Sequence, residues 1–250
     1  MASEAIRTER VRPLNSRKTA ARPLVVYWMQ AAQRAEANHA LEYAVCAAND
    51  LRKPLVVLFT LTEVFPEANE RSYAFMLEGL KETREALHRR GIPMVVRKGD
   101  PAAEAAALGR GAAMVVVDDG YVRVERRWRR TAAAGLECPL VEVATNVIVP
   151  VGAASPKEEY AAATLRPKIY RRLDEFMVPL RETPLRVKPA RPDLESWDID
   201  DTAAALARLD LDRRIGPVPS IRGGASEAGR KLHGFIKDKL AAYAEARNDP

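Results

Sequence analysis

Pro23-Leu-Val-Val-Tyr-Trp28 and, further on, Pro54-Leu-Val-Val-Leu-Phe59 are the stretches whose reading decides the fold. Each is a short, unbroken apolar run entered through proline. Runs of this kind read as strands covered on both faces, because a strand with one wet face alternates apolar and polar residues instead. Three more follow the same pattern: Ile92-Pro-Met-Val-Val-Arg97, Ala113-Met-Val-Val-Val117 and Pro139-Leu-Val-Glu-Val143. Between them the period becomes helical. From Gln33 to Asp50 one face carries Ala37, Leu41, Ala44, Val45 and Ala48, with Arg34, Asn38 and Glu42 elsewhere. A second helix is expected from about Asn69 to Arg89, with Phe75, Met76, Leu80 and Leu87 as its stripe and Gly91 in the left-handed position past its end. Gly99-Asp100-Pro101 opens a third, reaching about Leu108: Asp100 can cap orphan amides, and proline suits the first turn because its missing N–H is not needed there. A fourth runs from Arg123 to Ala133. Strands alternating with helices, and strands that are apolar throughout, predict an α/β fold: a doubly wound, five-stranded parallel sheet of Rossmann-like type over residues 23–152.

The flanks read differently. Residues 1–22 are polar and basic and are expected to form a disordered leader. Residues 153–222 are read as a helix from Lys157 to Phe176, with Pro167 starting or kinking a turn, then a linker rich in proline (Pro184, Pro189, Pro192, Pro217, Pro219) with one short helix near Thr202–Leu209. Residues 223–250 open a last helix, from Ser226 to Ala246, striped by Ala228, Leu232, Phe235, Ile236, Leu240 and Tyr243. So wide an apolar stripe calls for a partner that the remaining residues do not supply, as if a helical domain had only begun.

Composition narrows the class. The chain has 250 residues, 47% hydrophobic and 30% charged, as globular proteins do. No apolar run approaches the roughly 20 residues of a membrane span, and the N-terminus lacks a secretory h-region. Cys46 and Cys138 stand apart, and His39, His88 and His233 are scattered, which argues against a disulfide scaffold and a metal site. A reduced, cytoplasmic protein is the expectation. The net charge of +6 favours a polyanionic partner. Two basic runs stand out. Arg126, Arg127, Arg129 and Arg130 flank Trp128 and read rather more as a solvated helix face. Arg166, Lys168, Arg171 and Arg172 surround Tyr170 and read either as a phosphate-contacting surface or as an interdomain ion-pair surface.

Doubly wound sheets bind ligands outside the carboxyl ends of their strands. Here those ends carry Trp28-Met29-Gln30 and Asp118-Asp119-Gly120-Tyr121. G-x-G-x-x-G, GxxxxGK[ST] and G-x-S-x-G are all absent, against a dinucleotide fingerprint, a Walker loop and a hydrolase elbow. Trp28 either stacks on an aromatic ligand or fills the corner between sheet and helix. Asp118 and Asp119 either orient polar ligand atoms or cap the following helix, and capping is preferred for one of them.

Several stretches, taken in order, resemble one family. Val26-Tyr-Trp-Met-Gln30, Gln33-Arg34, Asn38-His-Ala-Leu41, Phe75-Met-Leu-Glu-Gly-Leu80, Gly91-Ile-Pro93, Lys157-Glu-Glu-Tyr-Ala161, Arg166-Pro-Lys168 and Tyr243-Ala-Glu-Ala-Arg-Asn-Asp-Pro250 are similar to the N-terminal half of class II cyclobutane pyrimidine dimer DNA photolyases. That resemblance implies a flavoprotein lyase of DNA repair, in which reduced FAD, held by a C-terminal helical domain, uses light to split pyrimidine dimers in damaged DNA. It implies a contact of Tyr243 with the flavin phosphates and of Arg247 with the DNA side. It also implies that the α/β domain can hold an antenna pigment of deazaflavin type, for which Trp28, Met29, Gln30 and Asp118 are the candidate pocket. No catalytic residue of the family carries over onto this chain. The helical domain, in the same polypeptide or as a separate chain, is expected to be required for activity. Two other readings remain: a stand-alone pigment- or nucleotide-binding module, and a cryptochrome-like light sensor.

Overall fold

The computed structural model describes residues 6–187 and 194–248. The chain divides into two compact units, Met1–Pro66 with Ala86–Trp197, and Glu67–Glu85 with Asp198–Pro250. In the first, a six-stranded sheet is built from β1 (Val11–Pro13), β2 (Leu24–Met29), β3 (Leu55–Leu61), β4 (Met94–Lys98), β5 (Ala112–Asp118) and β6 (Leu140–Val143), in the order β1-β6-β5-β2-β3-β4. β2 to β6 are mutually parallel, as their continuous apolar runs require, and β1 pairs antiparallel with β6 at the edge.

That edge strand corrects the expectation of a disordered leader over residues 1–22. Met1–Ala5 lie outside the described residues, but Val11 aligns with Val143 and Pro13 with Val141. Arg10 is buried, and its guanidinium donates to the carbonyls of Ala144 and Val147, each at 3.0 Å, and of Ile148 at 2.6 Å. Three polar-flanked residues carry no local strand signal; pairing to a preformed sheet edge makes the strand.

Alternation along β2 sorts the core. Val26 and Trp28 join Val56, Leu58, Val115, Val117 and Leu140 beneath α3 (Pro101–Gly109) and α4 (Arg123–Gly135), whose Ala105, Leu108, Trp128 and Ala132 complete one apolar layer. Tyr27 and Met29 point to the other face, where α1 (His39–Leu51) buries Leu41, Ala44, Val45 and Ala48 and contacts β2 and β5. Asp100 caps α3 by accepting from the Ala103 amide at 2.8 Å, with Pro101 in the first turn. Gly91, past α2 (Glu70–Arg89), has φ +71°.

The first helix starts later than its periodicity predicts, at His39 instead of Gln33. Residues 30–38 form a loop that side chains hold in place: Asn38 accepts from the Leu41 amide at 2.9 Å as N-cap, and its Nδ2 donates to the carbonyls of Ala32 and Arg34 at 3.1 and 2.9 Å. Beyond the sheet come α5 (Val151–Ala154) and α6 (Ala162–Phe176), shorter than the expected 157–176 and with Pro167 inside it. In the linker, Pro189 and Pro192 lie outside the described residues.

The second unit holds residues 70–85 of α2 with α7 (Thr202–Ala207), α8 (Ala225–Asp238) and α9 (Tyr243–Ala246). The last helix, expected to be continuous from Ser226 to Ala246, is broken. Lys239 leaves helical geometry at φ −128°, ψ −23°, and a 3-10 turn, Leu240–Ala242, intervenes. Between Gly224 and Asn248 no residue is buried.

Candidate ligand crevice at the carboxyl ends of the central strands

The chain order leaves β2 for β3 and β4 on one side and returns to β5 on the other, so the switch point lies between the carboxyl ends of β2 and β5. Asp118 ends β5 there, fully buried. One carboxylate oxygen accepts from the Tyr27 hydroxyl at 2.9 Å and the Gln30 amide at 2.8 Å, the other from the amides of Ala31 and Ala32 at 2.6 and 2.8 Å. Burial pushes its pKa up, and the donated hydrogen bonds pull against that. With all its acceptor capacity spent on the β2–α1 loop, Asp118 anchors that loop and neither caps α4 nor faces a ligand. Asp119 does not cap α4 either; it accepts from the Thr145 amide at 2.9 Å and from the Tyr121 hydroxyl. The first position before α4 is Val122, without a side-chain cap.

The other candidates separate in the same way. Trp28 is fully buried, within the apolar layer under α3 and α4, so the corner-filling alternative describes it and a stacking ligand has no access. Met29 is buried on the opposite face. Gln30 differs. Arg129 Nη1 donates to its Oε1 at 3.2 Å, which fixes the carboxamide orientation, while its buried Nε2 has no hydrogen-bond partner among the described residues. A buried donor left unpaired costs about 1–3 kcal/mol, so this atom is where an acceptor, from water or a ligand, is wanted.

Arg129 is the centre of a network that reading the sequence as a solvated basic face misses. Its Nε pairs with Glu142 at 2.8 Å, both side chains being nearly inaccessible, and its other terminal nitrogen donates to the Gly120 carbonyl. Glu142 also takes Arg12 of β1 at 2.9 Å, and a Cβ at Gly120 would collide with the Glu125 carboxylate, itself raised in pKa by burial. The signal was available: Glu142 is a lone charge inside an apolar strand, which demands a buried cation. His39, at the start of α1, has an Nδ1 with no partner among the described residues, and burial together with Arg10 and Arg34 lowers its pKa to about 4. It is therefore a neutral imidazole at physiological pH. The rim is closed by Arg34, which donates to Asn146 at 2.6 Å and to the Thr145 carbonyl at 3.2 Å.

Gln30 Nε2 and His39 Nδ1, like Thr60 Oγ1 of β3, are buried without a hydrogen-bond partner among the described residues. Among the described residues no group of three or more His, Cys, Asp or Glu is placed to hold a metal ion, and no helix is long and apolar enough to cross a membrane. The unpaired donor of Gln30 can be satisfied by an acceptor.

In the second unit, Tyr243 begins α9, half exposed, with its ring edge-on to Phe235 at 5.5 Å and 82°. Arg247 follows one turn later, its amide donating to the Tyr243 carbonyl at 3.0 Å. A bound cofactor loses 70–90% of its surface to its site, and a segment in which nothing is buried supplies at most one wall of a flavin pocket. A groove of about 930 Å³ in this unit is lined by Phe75, Glu78, Glu82, Pro217, Ile221 and Gly223. Two of its acids are engaged, Glu78 with the Gly223 amide at 2.7 Å and Glu82 with the Ser226 amide at 2.9 Å.

Comparison with known proteins places this arrangement. The profile described as DNA photolyase matches residues 25–189. A deoxyribodipyrimidine photo-lyase of Methanothermobacter thermautotrophicus is 44% identical over 247 residues, covering 98% of this chain and 54% of that protein. Among solved structures, a Synechocystis sp. PCC6803 cryptochrome superposes with a TM-score of 0.67 at 14% identity, over 90% of this chain and 49% of that one. An archaeal photolyase from Sulfolobus tokodaii, solved with two FAD molecules, gives 0.63 at 15% identity, over 84% and 46%. The chain spans about half the length of the curated relatives it matches. By the extent of the profile match, the chain belongs to the DNA photolyase family.

Proposed function

We propose that this chain is the α/β scaffold of a class II cyclobutane pyrimidine dimer photolyase, a light-driven carbon–carbon lyase acting on damaged DNA. The observation that carries the reading is the ordered set of stretches from Val26-Tyr-Trp-Met-Gln30 to the Tyr243–Arg247 segment, supported by identity to a photo-lyase along almost the whole chain. FAD, when bound, supplies the electron that opens the dimer's cyclobutane ring. In this chain Tyr243 contributes one contact to the flavin phosphates and Arg247 one to the DNA side; the remaining flavin and lesion contacts belong to the helical domain that the family resemblance implies. Flipping the dimer out of the duplex is favoured by its weakened stacking and pairing.

The α/β crevice holds an antenna pigment on this reading. Gln30 Nε2, oriented by Arg129, donates to a carbonyl or ring-nitrogen acceptor of a deazaflavin-type molecule. Trp28, Met29 and Asp118, the other members of the sequence-based pocket, support Gln30 from within the fold. The same unpartnered donor also favours the second reading, a stand-alone pigment- or nucleotide-binding module.

The test uses the 250-residue chain alone and mixed with a helical half taken from a relative. The chain alone retains far less than stoichiometric FAD and splits no dimers under blue light, and adding the helical half restores both. Stoichiometric flavin on the chain alone, or no repair from the reconstituted pair, overturns the proposal. Pigment binding that Gln30→Leu abolishes, with no repair from the pair, selects the second reading.

A further inference from the structure

The two arginine runs trade places once their partners are known. On α6, Lys168 pairs with Glu159, while Arg172 pairs with Glu175 at 2.7 Å and Glu9 at 3.2 Å and lies over the Phe176 ring at 5.0 Å. Half of that run is already neutralised within the fold. On α4 only Arg129 turns inward. Arg126, Arg127 and Arg130 are exposed, and Arg123, which precedes the run, joins them. Among the described residues, no carboxylate lies within ion-pair distance of any of these four, and no side-chain hydrogen bond engages their guanidinium groups. The neighbouring acids are spoken for: Glu125 is buried beside Arg129, Glu104 of α3 pairs with Arg97 at 3.2 Å, and Glu137 pairs with Arg22 at 3.3 Å.

Positions 123, 126, 127 and 130 follow the spacing i, i+3, i+4, i+7, which gathers them on one face. That face lies opposite Glu125, Trp128, Arg129 and Ala132, the residues α4 buries. Seven residues of helix rise about 10 Å. Phosphates along one strand of a duplex advance about 3.4 Å each along its axis, so the stripe is as long as three phosphate steps. Guanidinium groups bind phosphate oxygens bidentately and are weakly hydrated, and four of them unpaired on a rigid helix are preorganised for such a backbone. A lipid surface fits less well. Interfacial helices bury an apolar face in the membrane, and the apolar residues of α4 are committed to the sheet.

We propose that the outer face of α4, through Arg123, Arg126, Arg127 and Arg130, is a phosphate-backbone contact surface on the α/β unit that binds duplex nucleic acid irrespective of damage. It rests neither on the contact assigned to Arg247 nor on any flavin.

The test is a titration of a labelled undamaged duplex with the 250-residue chain, in the dark, from roughly 50 to 200 mM salt. Undamaged DNA and darkness keep its failure distinct from failure of the repair reading. Each phosphate contact contributes about −0.9 to the slope of log K against log salt, so R123Q/R126Q/R127Q/R130Q is expected to flatten the slope by about 3.6 and to weaken binding at least tenfold at the lower salt. The all-lysine version keeps most of the slope. Arg166→Gln with Arg171→Gln on α6 changes it by less than one contact's worth. Unchanged circular dichroism and unfolding midpoints exclude misfolding, as expected for exposed side chains. The proposal is overturned if the wild-type chain does not bind the duplex, if the quadruple glutamine variant keeps the slope, or if the α6 pair causes the larger loss. It is equally overturned if the stripe governs binding to anionic vesicles and leaves duplex binding untouched.

Discussion

α1 and α8 are nearly the same length and each carries an apolar stripe, yet they end in opposite conditions. In α1, Ala40, Leu41, Ala44, Val45 and Ala48 are all buried. In α8 nothing is, and Leu232 and Ile236 are each more than half exposed. Amphipathicity alone, then, does not tell a packed helix from an unpacked one. Each large apolar side chain gains roughly 1.5–3 kcal/mol on full burial, a gain that α1 collects and α8 forgoes within this chain. The entries do not explain the difference. That of α1 is tied down by Asp118, Asn38 and Thr145, and that of α8 by Glu78 and Glu82, which accept from the Gly223 and Ser226 amides.

The comparison breaks most completely at Asp118. Asp118→Ala removes one buried carboxylate and strands three loop amides and a phenol, so stability measured by urea unfolding is expected to fall by about 3–5 kcal/mol. A loss below 1 kcal/mol would show that the β2–α1 loop does not depend on this anchor. The helices themselves come next. Leu41→Ala is expected to cost about 2–5 kcal/mol, and Leu232→Ala to stay within about 0.5 kcal/mol. Equal costs would mean that α8 is packed in solution; amide exchange, slow along α1 and fast along α8, checks the same point independently.

A smaller effect than that of Leu41→Ala is a pH dependence at His39. Its folded pKa of about 4 lies below the ordinary 6.5, so the unfolded chain binds a proton that the folded chain refuses. The stabilisation is complete above 6.5 and is lost as pH falls towards 4. After allowance for solvent screening, the contribution is on the order of 1 kcal/mol. Unfolding curves recorded across that window for the wild type and for His39→Asn should converge at the acidic end. A constant offset between them at every pH would mean that His39 stabilises through packing alone.

Much of the fold was legible because its determinants are local. Unbroken Val-Leu-Ile runs mark strands buried on both faces, Asp100-Pro101 marks a helix start, and Gly91 marks a helix end; each signal spans only a few residues. The site was less legible. Gln30 stood among the candidates, but beside Trp28 and Asp118, whose side chains the core and the loop consume, and nothing near Trp28 in the sequence says that its ring will be enclosed by α3 and α4. Arg129 reads like its neighbours in the run, and only Glu142 on a different strand turns it inward.

By itself, the sequence determined the α/β class, the five parallel strands, most helix limits and the family, all of which rest on periodicity, caps and ordered local motifs. The tertiary structure alone decided that Val11–Pro13 is a strand, that α1 begins at His39, that Asp118 anchors a loop, and which arginines stay free for a partner. Those outcomes depend on pairings such as Gln30 with Asp118 and Arg129, across 88 and 99 residues of chain. A hydrogen bond or ion pair between groups so far apart leaves no periodic trace in the chain. It exists only once the sheet has brought the carboxyl ends of β2, β5 and β6 side by side.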